Sequence, residues 1–256
     1  MNLFTKITVS IIALFAFISS GSGQVKSYKS GEYLKYSLNY GFINGGIGVI
    51  SVKDSLLNGV HVNHVTALGK TVGIADAIFK VRDVYESFID PKSDLPLKSV
   101  RNIKEGRYRY YDEVTYNHDS LYIISQLKGQ EPVPSRIQDI LSAFYYARNF
   151  YFNDRLKKGD MIEIMTYFSN ELWPLRIRFD GIETIKSEIG KVECYRFSPV
   201  TEVGRAFESE DDMQIWISRD KNRIPVKIRF KLAVGSFTCD LEKYHNLAHP
   251  FTSLKD

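Results

Sequence analysis

Along residues 33–40, Leu34, Tyr36, Leu38 and Tyr40 alternate with Tyr33, Lys35, Ser37 and Asn39. This is the period-two pattern of a strand with one buried face. Comparable runs recur at 49–53, 61–69, 81–89, 97–103, 107–116 and 121–125, and again at 161–168, 175–179, 183–189, 192–198, 213–218, 226–232 and 236–243. Turn chemistry separates them. Asn58-Gly59 is a two-residue hairpin signal, the glycine-rich stretch 41–48 reads as a turn, and Asp180-Gly181 and Ile189-Gly190 punctuate the second half. Connections this short predict antiparallel neighbours, with 97–103 pairing with 107–116 across Lys104-Glu105-Gly106. The polar tail from Asn246 reads as loose.

One segment carries the helical period. After Pro134, Ser135 and Gln138 have the spacing of a capping box. Ile137, Ile140, Leu141, Phe144, Tyr145 and, less regularly, Tyr151 then fall on one face, opposite Arg136, Asp139, Ala143, Tyr146 and Asn149. The pattern predicts an amphipathic helix over 135–151.

The strand pattern also repeats. Gly31-Glu32-Tyr33 is echoed by Gly159-Asp160-Met161, Leu95-Pro96-Leu97 by Ile224-Pro225-Val226, and Gly106 by Gly235, at offsets of 128, 129 and 129. A fixed offset across three punctuation points is a repeat signature. The expected fold is therefore mainly β. Two similar antiparallel β-rich halves, about 28–125 and 155–245, form a curved sheet or incomplete barrel with the helix between them, as one domain over 24–256.

Residues 1–23 read as a signal peptide: Lys6, an apolar run over 7–18, then Ser19-Ser20-Gly21-Ser22-Gly23. The run is about a dozen residues, short of the roughly 20 a membrane span needs. No Cys follows it to carry a lipid. The mature chain is thus expected to be exported and soluble. Without Lys6 it has 33 basic against 30 acidic side chains, interspersed and without the basic block of a nucleic-acid binder. Aromatic residues make up 13% of the chain, with 16 Tyr and 16 Phe, which suits broad half-buried sheet faces. Cys194 and Cys239 both sit at apolar-phase positions, so a disulfide and two buried thiols are both open.

Candidate chemistry is sparse. Ser142 lacks a nucleophile elbow. His61 and His64, three apart on a strand, point to opposite faces, and His118, His245 and His249 are scattered. Gly41, Gly45, Gly46 and Gly48 lack the following Lys and the helix of a phosphate loop. Asp83 and Glu86 fall on opposite faces, and Glu208-Ser209-Glu210-Asp211-Asp212 reads as a solvated turn before a strand, with calcium as its alternative. No catalytic residue, metal site or cofactor is assigned, and the chain is not expected to be an enzyme. What remains is aromatic. Tyr108 and Tyr110 share a strand face with Asp112 and Tyr116, and Trp173 and Trp216 are large apolar anchors. With Tyr145 of the helix these are the candidate ligand-binding residues, although core packing would use the same side chains.

The segments Gly31-Glu32-Tyr33-Leu34-Lys35-Tyr36, Lys80-Val81-Arg82-Asp83-Val84-Tyr85-Glu86-Ser87, Arg101-Asn102-Ile103-Lys104-Glu105-Gly106, 138–148 and 216–226 resemble the exported bacterial family known as domain of unknown function 3108 over nearly the whole mature chain. The resemblance implies an exported protein in the periplasm of a Gram-negative bacterium and no particular chemistry. The strand–turn–Ile/Leu-Pro–strand element is similar to one in periplasmic lipoprotein carriers, which implies a curved β fold and an amphipathic ligand. Arg82, Asp83, Asp139 and Arg148 match the family segments and suit an ion-pair and capping set. Two functional readings follow, beside a hydrolase whose catalytic residues the sequence does not mark. The first is a non-enzymatic envelope protein that binds a lipid-like or amphipathic ligand in an aromatic-lined groove. The second is an envelope scaffold or interaction module that holds a protein partner. A cavity of roughly 300 Å³ beneath the helix would favour the first.

Overall fold

The computed structural model describes residues 26–41, 43–200, 213–231 and 235–256. The expected leader over 1–23 and the acidic run over 208–212 lie outside the described residues.

The alternating runs form strands, and the strands form one antiparallel sheet. In chain order they are β1 (Tyr33–Tyr40), β2 (Ile43–Leu57), β3 (Val60–Thr71), β4 (Arg82–Ile89), β5 (Pro96–Glu105), β6 (Tyr108–Asn117), β7 (Tyr122–Ser125), β8 (Gly129–Pro132), β9 (Met161–Phe168), β10 (Glu171–Ser187), β11 (Gly190–Pro199), β12 (Met213–Ser218), β13 (Pro225–Lys231), β14 (Ser236–His245) and β15 (Leu254–Lys255). Their spatial order is β8-β7-β6-β5-β4-β3-β2-β1-β14-β13-β12-β11-β10-β9, with β15 added beside β11. The first strand of the chain pairs with β14, Leu38 opposite Cys239, and this joins the two halves into one sheet. The sheet is open, with β8 and β9 at its edges.

The sequence offset reappears as matched backbone geometry. Gly31 and Gly159 both take positive φ, 89° and 97°. The following acidic residues close the same turn, Glu32 N–H donating to Lys29 O at 3.2 Å and Asp160 N–H to Lys157 O at 2.9 Å. Asp94 and Arg223, 129 apart, are both left-handed at φ 56° and 50°. Each precedes the Leu/Ile-Pro step, and the amides of Asp90 and Ser218 donate to Leu95 O and Ile224 O at 2.9 and 2.8 Å.

Among the described residues there are two helices, α1 (Gly73–Ile78) and α2 (Ile140–Phe150), and these two turns grip the second. The Arg148 side chain of α2 is fully buried. Its guanidinium donates to both carboxylate oxygens of Glu32, at 2.6 and 2.7 Å. It also donates to Asn222 O at 2.8 and 3.0 Å and to Ser27 O at 3.0 Å. On the other side, Asn149 Nδ2 donates to Asp94 Oδ2 at 3.0 Å, and Tyr28 Oη donates to Asp94 Oδ1 at 2.9 Å. Arg223 Nη1 reaches the Arg148 carbonyl at 2.5 Å. The β4–β5 turn of one half, the β12–β13 turn of the other and the segment before β1 therefore meet at one helical turn.

Around this polar centre the core divides. Ala143, Tyr146, Ala147 and Phe152 pack on Ile162, Ile164, Ile177, Phe179, Tyr195, Phe197 and Ile217 of the second half. Tyr145 packs with Tyr28, Val52, Val65 and Ile89 of the first. On the opposite face of the second half, Val192, Cys194, Trp216 and Val226 pack with Phe251.

Several local expectations change. The helix starts at Ile140, not Ser135. Asp139 is the cap, accepting from Leu141 N and Ser142 N at 2.8 and 3.0 Å, and Ser142 Oγ accepts from Asp139 N. Arg136 takes φ 60°, and Gln138 instead pairs with the β9 edge, its amide donating to Met165 O at 3.0 Å. The face read as polar is buried, since Ala143, Tyr146 and Asn149 are covered as well. The stretch 41–48 is mostly strand rather than turn. At Gly46 a Cβ would lie 2.8 Å from Lys70 O and 3.1 Å from Leu38 Cδ1, so glycine permits close strand approach there. The runs expected separately at 175–179 and 183–189 join in one long strand, β10, whose register shifts between Phe179 and Gly181. The tail is docked: His249 N–H donates to Asn222 Oδ1 at 2.8 Å, and Val192 is opposite Leu254. The short α1 and β8 are elements that hydrophobic periodicity did not mark. Cys194 and Cys239 are free thiols on strands that are not neighbours. Burial pushes both thiols up, Cys239 to about 12.

Removing one partner of a buried ion pair leaves the other charge uncompensated, at a cost of about 3–5 kcal/mol. Arg148→Met is expected to lower the urea-unfolding free energy by that amount, and adding Glu32→Gln to recover part of it. Equal stability of Arg148→Met and wild type would refute the role given to the pair.

Candidate functional site

A cleft opens where the two ends of the curved sheet come near each other. One wall comes from β4, β5 and β6 (Tyr85, Glu86, Arg101, Tyr110, Asp112), another from β9 and its turn into β10 (Tyr167, Phe168, Ser169, Asn170), and the floor from Asp139, Ile140 and Leu141 at the start of α2. Sequence-distant contacts hold this seam. Gln138 bridges to β9, its carbonyl accepting from Tyr167 N at 2.8 Å. Tyr167 Oη donates to Glu131 Oε2 of β8 at 2.8 Å, and Tyr110 Oη to Asn170 Oδ1 at 3.2 Å. The β9–β10 turn reaches across because Ser169 and Asn170 are both left-handed, φ 54° and 66°, as a tight hairpin connection requires.

Arg101 stands at the centre of the cleft. Its guanidinium carbon lies 4.3 Å from the Phe168 ring centre, 4.8 Å from Tyr110 and 5.5 Å from Tyr85. Nη1 donates to Ser169 Oγ at 3.0 Å, and Nε is buried without a hydrogen-bond partner. No carboxylate of the described residues lies within ion-pair distance of it. The carboxylates of the walls are engaged elsewhere. Glu86 meets His64 at 2.6 Å. Asp112 accepts from Ser125 Oγ at 3.1 Å and Leu127 N at 3.2 Å. Asp139 caps α2 and accepts from Ser87 Oγ at 2.6 Å. Burial raises the Asp139 carboxyl above its usual value, against the hydrogen bonds from Ser87, Ser142 and Leu141. The cleft thus presents a cation, framed by rings, that the fold has not neutralised. Its enclosed volume is about 20 Å³, room for a water-sized group and too little for a chain.

The five aromatic candidates do not share a surface. Tyr110 lines the cleft. Tyr108, at the start of the same strand, is 57% exposed at its rim-ward end. Tyr145 is fully buried, its hydroxyl donating to Glu32 at 3.1 Å, and its ring meets Tyr28 edge-on at 4.5 Å. Trp173 is partly exposed on the β10 edge of the hairpin with β9. Trp216 is buried on the opposite face beneath the tail, its Nε1 donating to Glu183. Arg101 carries no local sequence signal of its own, although it lies in a segment that carries the family resemblance. All four residues of the expected ion-pair and capping set have structural partners: Arg82 pairs with Asp76, Asp83 accepts from Lys104 N at 3.0 Å, Asp139 caps and Arg148 clamps. Among the described residues no group of three or more His, Cys, Asp or Glu could hold a metal, and no helix is long and apolar enough to cross a membrane.

Residues 35–242 match the family model described as "Protein of unknown function (DUF3108)". Among solved structures, a beta-barrel-like protein of domain of unknown function DUF1849 from Brucella abortus is similar in fold, with a TM-score of 0.54 at 8% identity over 83% of this chain and 96% of that one. A DUF1089-family protein from Pseudomonas aeruginosa gives a TM-score of 0.41 at 10% identity, over 73% of this chain and 90% of the other. No curated protein matches.

Because the Asp139 carboxyl is raised in the folded state, its contribution to stability is present below its ordinary value of 3.8 and is lost as pH rises through the raised value. Asn caps as well and does not titrate, whereas Asp139→Ala should cost about 1–2 kcal/mol. Unfolding free energies measured from about pH 4 to about pH 7 should therefore shift in favour of Asp139→Asn relative to wild type as pH rises. A constant difference would show that Asp139 is not destabilised in its charged form.

Proposed function

The chain belongs to the DUF3108 family, and we propose that it is a non-enzymatic interaction module of the bacterial envelope that holds a partner's carboxylate-bearing group at Arg101. The observation that carries this reading is the un-neutralised guanidinium of Arg101, framed by Tyr85, Tyr110 and Phe168 and half-enclosed by the seam. A guanidinium with free donors suits a carboxylate in a fork geometry, and rings around it exclude water without competing for its hydrogen bonds.

Space favours this reading over the carriage of an amphipathic ligand. An acyl chain needs a pocket of roughly 300 Å³ or more, whereas the cleft encloses about 20 Å³. The region beneath α2, where a chain would lie, is occupied by Tyr145 and Arg148, both 0% exposed. The leader-like residues 1–23 and the family support an exported location in the periplasm of a Gram-negative bacterium. No cofactor is invoked.

The test is photocrosslinking in intact cells, with a photoreactive phenylalanine analogue replacing Ser169, followed by native mass spectrometry of the purified protein. The reading predicts a discrete protein adduct that Arg101→Ala weakens by roughly tenfold or more, since charged hydrogen bonds contribute about 1.5–3 kcal/mol. An adduct indifferent to Arg101, or a co-purifying lipid-like mass, would overturn it, the latter in favour of the carrier reading.

A further inference from the structure

The helix α1 is built inside out. It is six residues long and has no buried residue. A helix this short does not form unaided in water, so something must hold it. The fastenings are polar or small. Asp76 pairs with Arg82 and accepts from Thr71 Oγ1 at 2.7 Å, Val72 N donates to Gly45 O at 3.0 Å, and Ala75 faces Gly45, where an added Cβ would sit 3.6 Å from its methyl. The large apolar side chains point the other way. Ile74 and Ile78, one turn apart, are 77% and 80% exposed. Phe79 follows at 52%, lying over Gly106, and Ile43, two residues along β2 from Gly45, is 62% exposed. None of these supports the core, yet the fold spends an ion pair and several hydrogen bonds presenting them together at one rim of the sheet.

The charge around this apolar tip is basic. Lys80 follows Phe79, and its carbonyl accepts from Gly106 N at 2.8 Å, which brings the β5–β6 turn with Lys104 and Arg107 to the same rim. Arg109 folds over that turn, donating to Gly106 O at 2.8 Å. Asp76 is paired with Arg82; Asp83 and Glu105, which lie against each other, are two carboxylates facing the four cations Lys80, Lys104, Arg107 and Arg109, so the rim stays net positive.

We propose that the α1 rim, with Ile74, Ile78 and Phe79 as its tip and Lys80, Lys104 and Arg107 as its collar, docks on an anionic phospholipid bilayer surface. Clustered apolar side chains within a basic ring match the interface of such a bilayer, where apolar groups enter the acyl boundary and cations meet phosphate headgroups. A protein groove would bury the tip but has no need of the collar. The docking is independent of the Arg101 cleft, so either can fail without the other.

The test is flotation of the purified protein with phosphatidylglycerol vesicles and, separately, with phosphatidylcholine vesicles at low and high salt. The wild type should float with the anionic vesicles, less so at high salt, and not with the neutral ones. Ile74→Asp/Ile78→Asp should reduce anionic-vesicle partitioning by roughly tenfold or more, and Lys80→Glu or Arg107→Glu by roughly fivefold or more each. Leu56→Asp, an exposed apolar position at the opposite end of the β2–β3 hairpin, should leave it unchanged. Circular dichroism confirms that each variant is folded, and because no α1 residue is buried the double variant should pass. Absence of wild-type flotation, equal flotation with neutral vesicles, or full binding by the Ile74→Asp/Ile78→Asp protein would overturn the proposal.

Discussion

A guanidinium with no access to water cannot remain charged in an apolar interior unless every donor has an acceptor. Arg148 meets this condition where three segments converge: α2 itself, the stretch 27–32 before β1, which supplies the Ser27 carbonyl, the Tyr28 ring and the Glu32 carboxylate, and the Asn222 turn before β13. The pair fixes the depth and rotation of α2, and the helix then separates two otherwise distinct apolar clusters, one in each half of the sheet. The matched turns at Asp94 and Arg223 place equivalent polar groups of the two halves on either side of one helical turn, at Asn149 and at the Arg148 carbonyl. A repeated sheet thus acquires a single centre.

The functional geometry follows from the same constraint. With α2 seated, Gln138 is drawn to the β9 edge while Asp139 accepts from Ser87 of β4, and the open ends of the sheet approach without pairing. The cleft forms at this incomplete closure, and Arg101 is left facing across it towards the β9–β10 turn. At another rim, α1 rests on β2 and β3 without contributing to the core, so its sequence is free to serve the outside.

Strands whose one face is buried were legible. The expected 33–40, 161–168 and 213–218 coincide with β1, β9 and β12 because alternation alone specifies them. The glycines of β2 misled, since they reflect the near approach of Lys70 O and Leu38, which local sequence does not contain. The start of α2 misled for a similar reason: Ser135 and Gln138 have capping-box spacing, but Gln138 is needed by β9, 28 residues later in the chain at Thr166. Tyr110 was legible as part of an aromatic strand face. Its neighbour Arg101 was not, because its rings come from β4, β6 and β9 and meet only when the sheet curves. Tyr145 and Trp216 had the same aromatic signal as Tyr110 and are buried in two different clusters.

If Arg148 ties both halves to one helix, neither half should open alone. Hydrogen exchange followed by mass spectrometry through a urea titration measures this directly. The account predicts that β3, β12 and α2 lose protection at one common midpoint, and that in the Arg148→Met protein they do so together at a lower one. Loss of protection in β9–β14 while β1–β6 stay protected would contradict it.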